Sequence, residues 1–188
     1  YHGSLLNYAT AHQQLGLNHD AGCGGWVYRE WAPGADYLSL VGDFNGWDRG
    51  ANPLQKLDFG VWEVFLPDAE YDQRLAHGSR YKVHVAANGQ GKDRLPATLR
   101  RAVQDEETKD FAGQIWRPEA EFRWTDQKFR PATAGKEPLI YEAHVGMATE
   151  ESRVGTYREF AENILPRIEA DGYNTVQLMA VMEHPYYG

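Results

Sequence analysis

From Trp26 onward the chain alternates apolar and polar positions with a period of two. Trp26-Val27-Tyr28-Arg29-Glu30-Trp31 reads as a strand, broken by Ala32-Pro33-Gly34-Ala35. Tyr37–Val41 is a second strand, stopped by Gly42-Asp43 and Asn45-Gly46. Gly60–Leu66, ended by Pro67, is a third, and Arg80–Ala87, ended by Asn88-Gly89, is a fourth. Short alternating strands punctuated by turn residues predict an all-β, immunoglobulin-like sandwich. Ahead of them, Leu5, Leu6, Tyr8, Ala9, His12 and Leu15 form one apolar stripe, which predicts a short helix over 5–17 ended by Gly16. The glycines of Ala21–Gly25 predict a turn; no Gly-Lys-Ser/Thr follows them, so they do not support a phosphate loop.

The pattern then changes. Residues 116–138 hold Pro118, Pro131, Pro138 and Gly135 without periodicity, and predict a linker. Leu139–Val145 is a strand. Thr156 and Glu159 form a capping box for a helix carrying Tyr157, Phe160, Ile164 and Ile168. Pro166 lacks the N–H that the ladder needs and must kink or restart that helix, and Gly172 ends it. Asn174–Val181 is nearly continuous in apolar residues, as expected of a parallel strand buried on both faces. Strand, helix, strand makes one βαβ unit. The predicted parts are therefore a helical segment at 1–18, a sandwich at 19–115, a linker at 116–137 and a βαβ unit at 138–188.

Composition narrows the partners. A formal net charge of −8, without a basic patch, argues against nucleic acid. A neutral, hydroxyl-rich partner fits better. The lone cysteine, Cys23, excludes an intramolecular disulfide and a Cys-rich zinc site, and is compatible with a reducing compartment. No apolar run approaches the roughly 20 residues of a membrane span, and Tyr1-His2-Gly3-Ser4 has no signal-peptide character. We therefore expect a cytoplasmic chain with no cofactor, metal or membrane partner. It begins without Met and ends on Tyr186-Tyr187-Gly188, and reads as a segment of something longer. Six Trp and 11 Tyr suit either a β-rich core or flat platforms for sugar rings.

Several strings carry a resemblance. Glu30-Trp31-Ala32-Pro33-Gly34-Ala35 and Val41-Gly42-Asp43-Phe44-Asn45-Gly46-Trp47 resemble the starch- and glycogen-binding sandwich that precedes barrels of the α-amylase clan. Ile140–Gly146 is similar to the first barrel strand of branching enzymes. Asn163–Ile168 and Gly172–His184 are similar to the eukaryotic-type 1,4-α-glucan branching enzymes in particular, and Arg94–Ala97 with Arg101–Asp105 fits the same family. The resemblance implies a glucan-binding module followed by the first βαβ unit of a (β/α)₈ barrel. It also implies a retaining transglycosylase that cuts an α-1,4 bond and remakes it as α-1,6, with two carboxylates about 5 Å apart. In the family those carboxylates sit on later strands, in a Phe-Arg-Phe-Asp-Gly motif and beyond, which this sequence lacks, as it lacks Asp-Val-Val-x-x-His. No catalytic residue is expected here, and the chain alone is expected to be inactive.

By family position, Trp31, Pro33, Asp58, Gly60 and Lys82 line a groove for α-1,4-glucan (glycogen, amylose or maltooligosaccharide). Trp47, closing the turn after Asn45-Gly46, is either a cap on the sandwich edge or a glucan contact. Lys82 is either a solvated lysine or a hydroxyl donor. Glu142 and His144, with Glu183 and His184, gather at a predicted barrel rim, where structural hydrogen bonding is favoured over an acid–base or metal cluster. Tyr186 and Tyr187 are platforms or rim packing. Two other functions compete with the branching reading. A free glycogen-binding adaptor has no use for the βαβ strands, and a debranching or trehalose-releasing hydrolase is disfavoured by Gln177–His184.

Overall fold

Two antiparallel sheets realise the alternation from Trp26 onward, in a computed structural model that describes residues 4–5, 9–130 and 137–182. In chain order the strands are β1 (Gly16–Asp20), β2 (Gly25–Trp31), β3 (Tyr37–Gly42), β4 (Gln55–Lys56), β5 (Val61–Pro67), β6 (Arg80–Ala87), β7 (Gln90–Arg94), β8 (Ala102–Gln104) and β9 (Phe111–Gln114). One sheet runs β1-β2-β5-β4; the other runs β3-β6-β9-β8, with β7 also on β6. Contacts divide the chain into two units between Glu121 and Phe122.

The core of the first unit lies between the sheets. Trp26, Tyr28, Trp62 and Leu66 come from one sheet, and Leu38, Leu40, Tyr81 and Val83 from the other. Each such side chain contributes roughly 1.5–3 kcal/mol by leaving water. Alternation puts their neighbours outward, where charge is neutralised locally: Arg29 meets Glu63, and on β6 Arg80 meets Asp105 at 2.7 Å. Among the described residues one carboxylate is buried. Glu30 accepts from the Tyr28 hydroxyl at 2.7 Å and from Ala97 N at 3.1 Å. Burial, and then the Glu30 charge, push the Tyr28 hydroxyl well above its ordinary range.

The second unit contains β10 (Ile140–His144) and β11 (Thr175–Met179), which pair in parallel with Ile140 opposite Thr175 and His144 opposite Met179. Between them Thr156 caps the helix as expected: its hydroxyl accepts from Glu159 N at 3.2 Å, and Glu159 returns a bond to Thr156 N at 2.8 Å. Pro166 is accommodated by a change of winding. A short α turn (Tyr157–Glu159) widens into a π turn over Phe160–Ile164, and α-helix resumes at Leu165–Ala170 with the proline in its first turn. The wider turn lets the helix pass a residue that has no N–H to give.

Two expectations need correction. Within the helix predicted over 5–17, residues 6–8 lie outside the described residues; beyond them Ala11–Gln13 form a 3₁₀ turn and Gly16-Leu17 already belong to β1. The chain does turn at Gly16, at φ +79, but from there it pairs with β2, and its backbone lies so close to Thr98 that a Cβ would sit 2.6 Å from the Thr98 carbonyl oxygen. The other correction is β11. It was expected buried on both faces, yet Leu178 and Met179 are exposed, because β10 is its sole strand partner among the described residues.

Candidate binding site

The most recognisable string of the sequence, Gly42–Trp47, is mostly consumed by the fold. Gly42 passes so close to β6 that a Cβ would meet the Arg80 carbonyl oxygen at 2.4 Å. Phe44 enters the core. Asn45 staples the turn: its Oδ1 accepts from Gly42 N at 3.0 Å, while its Nδ2 donates to Leu40 O at 2.9 Å and Asn52 Oδ1 at 2.8 Å. Gly46 and Trp47 both take φ of 63°. Trp47 is 38% exposed, and its indole N–H donates to Asp43 Oδ1 at 2.9 Å, whose other oxygen accepts from Arg80 N at 2.7 Å.

Lys82 lies in register with Val41, near this end of β3. Its side chain is 11% exposed and its ammonium is paired with Asp110. The Lys82 contact holds the Asp110 carboxyl below its usual range. A hydroxyl ligand at Lys82 must therefore compete with a carboxylate.

A different geometry surrounds the end of β2. The Trp31 ring is 61% exposed, and its N–H donates to Phe59 O at 3.1 Å. Phe59 sits in the 3₁₀ turn Asp58–Gly60 at φ +59 and is 95% exposed. Such a backbone costs a non-glycine residue of order 1–3 kcal/mol. Gly60, at φ +79, lies so tightly against Pro33 that a Cβ would meet the proline Cβ at 2.6 Å. Ala32 N donates to Gly60 O at 2.9 Å and the Trp62 indole to Ala32 O at 2.9 Å, locking the two turns together. Asp58 lines a shallow depression with Lys56, Leu57 and Val61 alongside.

The predicted group thus splits. Trp31, Pro33, Asp58 and Gly60 come together where β2 ends and β5 begins. Trp47 and Lys82 lie toward the far end of β3, whose six residues span about 20 Å. Phe59 escaped the sequence reading, although an aromatic between Asp and Gly just before a strand is a turn position that faces solvent.

In the second unit, His144 Nδ1 accepts from Gly146 N at 3.1 Å and Glu142 is exposed opposite Gln177. Glu183, His184, Tyr186 and Tyr187 lie outside the described residues. Among the described residues no group of three His, Cys, Asp or Glu is placed to hold a metal ion, and no helix is long and apolar enough to cross a membrane.

Residues 14–98 match the profile of Carbohydrate-binding module 48 (Isoamylase N-terminal domain), so the sandwich is of that type. A 1,4-alpha-glucan-branching enzyme of Solanum tuberosum is 44% identical over 192 residues, covering 100% of this chain and 22% of that protein. Another, from Rhizophagus irregularis, is 41% identical, covering 98% of this chain and 27% of the relative. The chain corresponds to the N-terminal part of the 1,4-α-glucan-branching enzymes. It spans about a quarter of the length of the curated branching enzymes it matches. Solved structures share the fold. A Group B Streptococcus pullulanase in complex with maltotetraose has a TM-score of 0.66 at 20% identity, covering 93% of this chain and 25% of that one. Pullulanase type I from Bacillus subtilis, complexed with maltose, gives 0.63 at 19%, covering 87% and 23%.

Proposed function

We propose that this chain is the glucan-holding front of a branching enzyme, and that it grips α-1,4-glucan on the Trp31, Pro33, Asp58, Phe59 and Gly60 surface. One observation carries the reading. Trp31 and Phe59 are both large, apolar and exposed, and the turn that displays Phe59 also fixes the Trp31 indole by its edge. A ring pinned at its edge keeps its faces for stacking, and the apolar face of a glucose unit matches it. Asp58 offers carboxylate oxygens to hydroxyl groups at the border of the same surface.

The second unit supports the start of a catalytic (β/α)₈ barrel. Its strands are parallel, the connection is a helix, and Ile140, Tyr141, Leu178 and Met179 are exposed as they would be with further strands still to pair. Transfer from α-1,4 to α-1,6 linkage belongs, on this reading, to carboxylates on later strands of the full-length protein, acting in a compartment that keeps Cys23 reduced. Residues 1–188 should then bind glucan without rearranging it.

Calorimetric titration with maltoheptaose tests the binding half. The wild-type chain is expected to bind between millimolar and micromolar, roughly −4 to −8 kcal/mol. Binding that survives both Trp31→Ala and Phe59→Ala in folded protein would remove this surface from the site. Iodine staining of amylose tests the other half, and loss of linear glucan with the purified chain would refute its inactivity.

A further inference from the structure

Beyond the exposed platform, the sandwich has a pocket, and we propose that it is a second sugar site that takes a short maltosaccharide or the end of a glucan chain. The proposal rests on the reading of this domain as glucan-binding. The pocket has a volume of ≈ 430 Å³ and is lined by β1, by Trp26 and Tyr81, and by the segments 98–100 and 114–116. That volume falls within the roughly 300–1,000 Å³ typical of small-molecule sites. It suits one or two hexose rings rather than a polymer passing through. Its Trp26 wall is five residues along β2 from Trp31, about 17 Å away, so the two sites are distinct.

The chemistry of the wall fits hydroxyl groups. Trp26, Tyr81 and Ile115 make an apolar floor. At the rim, Arg100 donates one N–H to Asn18 Oδ1 at 3.0 Å and has no carboxylate partner among the described residues, which leaves several planar donors for vicinal hydroxyls. The Trp116 indole forms a side wall, held in place by the Arg101 guanidinium 4.2 Å from its ring centre and by His77 at 4.6 Å. His19, on the same wall, is matched by Asp68 at 3.0 Å.

An independent observation marks an acceptor that the protein does not supply. Trp26 is 7% exposed, and its indole N–H is buried with no hydrogen-bond partner among the described residues. A buried donor without an acceptor costs about 1–3 kcal/mol, and such groups are rare in folded proteins. The His19 ring and the Arg117 guanidinium pack on this indole, each centred 5.1 Å away. A sugar hydroxyl that reached this N–H would accept its hydrogen bond.

Maltose titration followed by ¹H–¹⁵N NMR of the tryptophan indoles tests this directly, in the Trp31→Ala chain so that the platform is silent. The Trp26 and Trp116 indole signals, assigned through bonds in the unmodified protein, should shift together and saturate at millimolar maltose. Arg100→Ala combined with Asn18→Ala should weaken that response at least fivefold without moving the melting temperature, while maltoheptaose binding at Trp31 in the otherwise unmodified chain persists. If maltose moves neither indole, or if the double variant leaves the response unchanged, the pocket is not a sugar site, whatever happens at Trp31. Maltoheptaose binding unaffected by Trp31→Ala, with the pocket response intact, would instead sink the platform and keep the pocket.

Discussion

Two turns of the sandwich each place an aromatic residue at positive φ beside a glycine, and they use it in opposite ways. In Gly42–Trp47 the side chains are tied inward: Asn45 to three backbone and side-chain partners, Phe44 to the core, Trp47 to Asp43. In Asp58–Gly60 the backbone does the tying, through Gly60 against Pro33 and the Phe59 carbonyl to Trp31, and the Phe59 ring is left in solvent. The lesson is that a memorable motif can owe its residue types to folding. On the proposed reading, the surface offered to glucan lies in the plainer turn.

The largest effect should come from the tied turn. Phe44→Ala removes a core ring and is expected to cost about 3–5 kcal/mol. Urea unfolding would measure it, and the fraction still folded should bind maltoheptaose as the wild type does. Gly60→Val adds branching at φ +79 and collides with Pro33, so it should lower stability by about 1–3 kcal/mol and weaken glucan binding together, read by melting and titration of one sample. Trp31→Ala should cost about 1–3 kcal/mol of binding, a 5- to 150-fold rise in Kd, with the melting temperature nearly unchanged. Trp47→Ala should change Kd less than Trp31→Ala does. A reversed order would return the site to the Gly42–Trp47 turn.

The smallest effect is a pH dependence in the second unit. Arg153 first, then the Thr156 backbone, lower the Glu159 carboxyl from 4.5 to about 2. A folded-state value below the unfolded one stabilises above the unfolded pKa, and that contribution is lost as pH falls from about 4.5 toward about 2. Helical circular dichroism should decline over that window, and Glu159→Gln should remove the dependence.

The four strands that alternate cleanly were legible in the sequence, because burial on one face writes a period of two. β7 was not, since Gln90-Gly91-Lys92-Asp93-Arg94 lies at a polar edge and buries almost nothing. β1 was missed because the apolar stripe ahead of it carried the helix reading through to residue 17, and its pairing with β2 leaves no local trace. Trp31, Pro33, Asp58 and Gly60 share one surface because β2 and β5 pair, a fact no local pattern contains. Phe59 was missed for the complementary reason: an exposed ring at a turn leaves no periodic trace.

The order in which the units lie along the chain bears on how the protein is made. Every described strand of the sandwich precedes Glu121, so the sequence of that unit is complete once Glu121 has been added. At roughly 5–20 residues per second, that precedes synthesis of β11 by several seconds, ample for a small β domain to close. The parallel pair is made after it and bares Ile140, Tyr141, Leu178 and Met179. Until apolar partners cover them, those exposed side chains leave the nascent second unit open to association.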